Sequence, residues 1–532
     1  MHWFEETSFY HIYPLGLCGA PAQNDGGAPV PRLAKLRPWV EHLAELGFGA
    51  LYLGPLFESV GHGYETTDYR RLDRRLGSNG ELRDFVAFCH GLGVRVIFDA
   101  VFNHSGRDFF AFRDLLARRE ASPYRDWYRV NFSGDNAHHD GFSYETWGGY
   151  ELLAKFNLQN PAVVQYHLDT VRFWVEEFDV DGLRLDAADV LDFDFLRRLR
   201  SFTQGLKPEF WLMGEVIHGD YGRWVNDAML HSVTNYRLYK ALYSSHNDGN
   251  YFELAHCVEQ LGPLCPALYS FADNHDVERI QTRLRCKAHY LPLHVLLFTL
   301  PGIPSVYYGS EFAVEGRKER GSDASLRPAL RLEDYRDEPH AGLIRTLALT
   351  RAGEPALRQG GYERLVLRTD CFAFARRTGA REVLVAVNNG AGPVRLELPA
   401  RLDCYRAVLR GALLRAEAGR LSLELGANGA ELLVPEQAAA WERSPIPAPE
   451  QWRAALDRAL QARQNQQAAP AATAIPAAPP AGKAVDEMSV PELQALILQK
   501  LAANGPVTER MRREVAENVY LNSLRNWARS FR

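Results

Sequence analysis

Five short stretches of the chain end in side chains that can hold or move protons. LYLGPLFESVGHGY runs to His62 and Tyr64, FDAVFNH carries Asp99, Asn103 and His104, and DGLRLDAADV carries Arg184 and Asp186. FWLMGEV reaches Glu215, and SFADNHD holds Asp273, His275 and Asp276. Each begins as an apolar run of strand length. In DGLRLDAADV the alternation of a strand puts Leu183 and Leu185 on one face and Arg184 with Asp186 on the other. The preceding FWVEEFDV reads as the tail of an amphipathic helix, which makes this a buried parallel strand with a charged pair pointing inward. A lone buried His or Asp is as often a hydrogen-bonded structural group as a functional one. Five strand ends carrying such groups together are not explained that way.

Three carboxylates in one place repel one another, and Arg184, two residues from Asp186 on the same face, is placed to keep one of them ionised. Two carboxylates in unlike environments, one charged and one with a raised pKa, are what glycoside cleavage requires. The competing reading is a zinc site built from His62, His104, His275 and an Asp. Against it, the sequence contains no HxH or HExxH spacing. Aromatic residues are expected around the same mouth, namely Tyr10, Tyr13, Trp39, Tyr64, Phe102, Trp147 and Tyr150, and their faces suit sugar rings.

These side chains need a scaffold that brings several strand ends to one place. The runs FYHIYPL, ALYLGPL, VRVIFDAV, DGLRLDAAD, FWLMGEV, SVTNY, LYSFADNHD and IPSVYYG alternate with helical patterns. Eight strands so spaced, with no GxGxxG after any of them, predict a (β/α)8 TIM barrel over residues 1–355, of the α/β class. The long stretch between the third strand and KFNLQNP predicts an inserted subdomain at 104–156, since loops of that length are usually functional. Residues 356–440 change to alternating strand patterns, a C-terminal antiparallel β-sandwich. Residues 441–486 read as an amphipathic helix and an Ala/Pro-rich linker.

Residues 487–532 predict a small α-helical module. Ser489 and Glu492 have capping-box spacing, and Gly505-Pro506 ends the first helix. A second helix carries Met511, Val515, Val519, Leu524, Trp527 and Phe531 along one stripe, a surface for docking a partner or a second copy of the chain.

Composition sets the boundaries of this reading. The chain has 532 residues and a net charge of −5, so nothing at whole-chain level points to nucleic acid or an anionic membrane. The seven cysteines are odd in number and show no CxxC spacing, which predicts reduced thiols. MHWFEETSFY carries no secretory pattern, and YLPLHVLLFTLPGIPSVYYG, broken by His and Pro, reads as a buried helix followed by a buried strand. The expected location is the cytoplasm.

In order and spacing, DAVFNH, GLRLDAADV, GEV and FADNHD, with HGYETTDY before and PGIPSVYYGSE after, resemble the linked motifs of the α-amylase family, glycoside hydrolase family thirteen. The resemblance covers essentially residues 1 to 350. It implies Asp186 as nucleophile, Glu215 as general acid/base and Asp276 as the carboxylate that steadies the transition state. It implies that Arg184 orients Asp186, that His104 and His275 hydrogen-bond the sugar, that Tyr64 stacks beneath it and that Asp99 is structural. Asp323 and Arg327, in GSDASLRPAL, resemble a pair that holds the next sugar. The outcome implied is retention of the α anomer on malto-oligosaccharides or related α-glucans, by hydrolysis or by transfer to another sugar, with an α-glucosidase on short sugars as a variant and a silent sugar-binding homologue as the non-catalytic alternative. No cofactor is required; the one metal the resemblance brings in is calcium, with Asn103 at a common ligand position.

YETTDYRRLD, PYRDWYRV, LAKFNLQNP and GEVIHG are nearest in look to the intracellular neopullulanase, cyclomaltodextrinase and maltogenic amylase group. The chain departs from that group in starting its first strand almost at Met1, and in having Asp189-Val190 after the nucleophile motif, where the group often has Asn-Glu.

Overall fold

A computed structural model describes residues 2–336, 338–436 and 490–503. All eight expected strands are present: Phe9–Ile12, Ala50–Leu53, Arg95–Ala100, Gly182–Leu185, Trp211–Gly214, Ser232–Val233, Tyr269–Phe271 and Ile303–Tyr307. They form one parallel sheet in the order six, five, four, three, two, one, eight, seven. A parallel bridge from Thr234 to Tyr269, with Asn235 N–H donating to the Tyr269 carbonyl at 2.8 Å, joins strands six and seven and closes the barrel.

The strands are apolar on both faces because both are covered. Outward residues such as Leu51, Leu53, Val96, Phe98, Leu183 and Leu185 belong to the main core, which they share with the surrounding helices. Inward residues Phe9, Ile97, Trp211, Met213, Tyr269 and Ile303 form a separate cluster that fills the barrel interior. Gly182 is required here: a Cβ at that position would lie 2.5 Å from the Trp211 carbonyl oxygen and 3.0 Å from Ile97 Cδ1.

The helices start and stop on local signals. Ser78 and Glu81 form a capping box on Asn79–Gly91, Asn160 caps Pro161–Phe178 through Ala162 N–H, and Asp192 caps Phe193–Leu206. Tyr290–Thr299 is buried along its whole length, so the apolar run read from the sequence is a core helix followed by strand eight. Among the described residues no helix is long and apolar enough to cross a membrane.

After strand three the insertion builds a small antiparallel sheet, in which His104–Ser105 pairs with Tyr150–Lys155 and the latter with Thr146–Trp147. The C-terminal domain has a six-stranded antiparallel sheet and a second layer of Val394–Pro399 paired with Arg420–Leu425. Alternate residues of its strands serve two cores: Ala373, Ala375 and Leu384 face the second layer, whereas Phe372, Phe374, Val383 and Val385 join the main core.

The described residues fall into two compact units, one taking in the barrel and the β domain, the other residues 319–322 and the helix Val490–Ala503. That helix is where the first tail helix is expected. The 441–486 segment, Ser489 as cap, Gly505-Pro506 and the apolar stripe from Met511 to Phe531 lie outside the described residues.

Candidate active site

The parallel register carries the charged groups to one level. Arg184 pairs across the sheet with Asp99 of strand three and Met213 of strand five. The ladder continues past the strand ends, with Asp186 N–H donating to the Ala100 carbonyl at 3.1 Å and Glu215 N–H to the Leu185 carbonyl at 2.9 Å. Asp99, Arg184, Asp186 and Glu215 therefore meet inside the mouth. Arg184, 3% exposed, reaches Asp99 at 2.8 Å and Asp186 at 2.9 Å through Nη1, and Glu215 at 2.9 Å through Nη2.

One guanidinium is thus divided among three carboxylates. Arg184 favours the ionised form of Asp186, as expected, but shares its charge with Asp99 and Glu215. Burial pushes Asp186 up well above the ordinary aspartate range; Arg184 opposes the rise and Glu215 adds to it. Burial likewise raises Glu215, against Arg184 and with Asp276 adding. Burial therefore shifts both carboxyls in the direction of the neutral form, with Arg184 opposing it in each.

Asp276 sits on the opposite side of the mouth, with its side chain 32% exposed. It contacts His275 Nε2 at 3.0 Å and Arg327 Nη2 at 2.9 Å. Burial works to raise it, but His275 and Arg327 outweigh that and hold it well below the usual range. Arg327 also reaches Asp323 at 3.3 Å, donates from Nε to the His275 carbonyl at 3.0 Å and lies 4.6 Å over the Tyr13 ring.

Tyr64 hydrogen-bonds His275 Nε2 and donates to Asp99 at 3.2 Å, its ring parallel to that of His275. His104 is buried beside Asn103, 3.2 Å from its side-chain amide nitrogen, and burial lowers its pKa to about 3, so it is a neutral imidazole.

Several participants were not singled out in the sequence. Tyr52 donates to Asp99 at 2.8 Å; its inward direction follows from alternation with Ala50. Ala187, at φ 47°, is a non-glycine residue in the left-handed region, and its N–H donates to Glu215 Oε2 at 3.1 Å. Tyr236, just beyond strand six, donates to Glu215 Oε1 at 3.4 Å and accepts from Asn274. No sequence signal marks Ala187, whereas Tyr236 stands directly after the SVTN run.

Other expectations are corrected. Tyr10, Trp39 and Phe102 are buried in the main core rather than facing the mouth: Tyr10 is on the outward face of strand one, Trp39 is on a helix, and Phe102 stacks on Trp174. Asp273 accepts from Ser310 Oγ and Ile280 N–H behind the mouth, a structural role. His62 is half exposed and bound to Glu65 at 3.1 Å. Among the described residues no group of three or more His, Cys, Asp or Glu is gathered to hold a metal ion, so the zinc donor set is not assembled. Asn103 Oδ1 is buried without a hydrogen-bond partner. Calcium takes six to eight oxygens, of which this would be one.

Comparison with known proteins agrees with this geometry. Residues 38–340, more than half of the chain, match the family described as alpha amylase, catalytic domain. The cyclomaltodextrinase of Thermoanaerobacter pseudethanolicus is 31% identical over 423 residues, covering 73% of this chain and 71% of that protein. The intracellular maltogenic amylase of Bacillus subtilis is 26% identical over 420 residues, covering 73% and 69%. Among solved structures, the ligand-free cyclic alpha-maltosyl-(1→6)-maltose hydrolase of Arthrobacter globiformis is similar at a TM-score of 0.71 and 26% identity, over 82% of this chain and 100% of that one. With its closed barrel, its inserted subdomain and its converging carboxylates, this chain belongs to the alpha-amylase family and is a glycoside hydrolase.

Proposed function

We propose that the enzyme cleaves α-glucosidic bonds of malto-oligosaccharides, linear or cyclic, with retention, and that Asp186, Glu215 and Asp276 carry the reaction. The observation behind this reading is the single Arg184 guanidinium held at 2.9 Å from both Asp186 and Glu215. A pair that shares a proton can present one charged and one neutral carboxyl to a bound sugar. Charged Asp186 attacks the anomeric carbon while neutral Glu215 gives its proton to the leaving oxygen. The glycosyl-enzyme is then released by water or a sugar hydroxyl, which returns its proton to Glu215.

Asp276, kept ionised by His275 and Arg327, stays charged throughout and steadies the oxocarbenium-like carbon, while Tyr64, His104 and His275 hold the cleaved sugar and Asp323 with Arg327 the next one. Arg184 and Asp99 position Asp186. Glycoside transfer is the second reading, favoured by Val190 and Ile217, which are 48% and 39% exposed on the loops that carry Asp186 and Glu215. Apolar side chains there suit the C–H face of an acceptor sugar better than an ordered water.

The named relatives act on cyclic or malto-type sugars by their titles, which supports the substrate class. Turnover is proposed to need no metal. Seven free cysteines and a relative named as intracellular support a cytoplasmic location.

Asp186→Asn tests the central assignment. Turnover of maltotriose should fall about ten-thousandfold, with an unchanged far-ultraviolet circular dichroism spectrum. Activity retained within tenfold of wild type would refute Asp186 as nucleophile.

A further inference from the structure

Two aromatic rings of the inserted subdomain stand open to solvent. Trp147 and Tyr150 are 37% and 63% exposed, among the largest apolar side chains left open to solvent. They flank Gly148-Gly149, both with positive φ (59° and 81°), the signature of a two-residue hairpin turn. Trp147 and Tyr150 are direct antiparallel partners, so their side chains leave the hairpin on the same face. Their rings are parallel within 20°, with centroids 6.1 Å apart, an offset arrangement that presents aromatic surface outward.

The same small sheet continues to His104 through the pairing of Lys155 with His104. The His104 ring lies 6.1 Å from that of Trp147. Ring contacts therefore extend from buried His104 to Trp147 and Tyr150 at the tip. A cross-strand aromatic pair can stabilise a hairpin, but a ring 63% exposed spends most of its surface on solvent. What fits this surface is a flat molecule with apolar C–H faces and hydroxyl edges, long enough to start at the carboxylates, which describes a glucan chain.

We propose that Trp147 and Tyr150 form an outlying platform that stacks sugar units of a long α-glucan beyond those gripped at the carboxylates. This rests on the glycosidase reading above and adds a preference for chain length to it. Stacking one sugar on such a ring accounts for roughly a five- to tenfold gain in affinity.

The test compares maltoheptaose with α-maltosyl fluoride on the full-length chain. In Trp147→Ala and in Tyr150→Ala, the ratio of kcat/KM for maltoheptaose to that for the fluoride should fall about five- to tenfold, chiefly through KM. Trp147→Phe, which keeps a flat ring, should recover most of it. A ratio that does not move, or equal losses on both substrates, overturns the platform. Calorimetric titration of maltoheptaose into full-length Asp186→Asn separates this from the catalytic reading, because it needs no turnover. The ring substitutions should weaken binding there by the same factor; undiminished binding, or none with the rings intact, overturns the platform whatever the role of Asp186.

Discussion

Arg184 brings one positive charge to Asp99, Asp186 and Glu215, and that imbalance governs how the site titrates. Because burial raises Asp186 and the Glu215 charge adds to the rise, the ionised form of Asp186, the proposed nucleophile, is lost as pH falls through a value above the ordinary aspartate range. The acid limb of kcat/KM should therefore lie high. Glu215→Gln removes one of the raising charges, so with α-maltosyl fluoride, which needs little acid assistance, the acid limb should shift to lower pH. A limb that stays in place or moves up would show that Glu215 does not bear on the group that must lose its proton. The inward direction of Arg184 and Asp186 was legible from period two alone. The sharing of Arg184 was not, since it depends on which residues of strands three and five stand beside it.

At the scale of the element, strand four works because its neighbours fix its level and its first residue yields space. Trp211 and Ile97 fill the barrel interior against Gly182, and a methyl group there would meet the Trp211 carbonyl at 2.5 Å. Gly182→Ala is expected to cost about 1–3 kcal/mol and to lower the melting temperature, read by thermal unfolding; an unchanged melting temperature would show that the barrel floor is looser than its packing indicates. The eight strands were readable because strands buried on both faces are written as continuous apolar runs. Tyr10 was misplaced in the mouth for want of the same alternation that located Arg184: Phe9 faces the interior, so Tyr10 faces out. The Thr146–Lys155 hairpin went unread as an element, its strands being short and its Gly-Gly turn standing within a loop rich in polar residues.

At the scale of the whole molecule, the barrel and the β domain share one core. Phe372, Phe374, Val383 and Val385 pack in the same cluster as the helix Tyr290–Thr299. Buried Arg376 donates to the Thr299 carbonyl at 2.7 Å and to the Gly360 carbonyl, and Asn389 bonds the Ser245 carbonyl at 3.1 Å. The two should unfold in a single calorimetric transition, and Arg376→Ala should lower it by about 2–4 kcal/mol of stability, because buried carbonyls lose their donor. Two separated transitions would contradict a shared core. The runs CFAFARR and EVLVAVNNG read only as alternating strands, and the burial of both their faces comes from the packing. What the sequence determined by itself is local in origin: the strand and helix periods, the inward face of each motif and the identities of the carboxylates, all set by neighbours along the chain. What only the tertiary structure decided is how charge is divided between Arg184 and its three carboxylates, which aromatic rings are core and which are open, and where His104 meets the Trp147 hairpin. These depend on register and burial between segments distant in sequence, and burial is what converts a list of ionisable groups into a set of shifted ones.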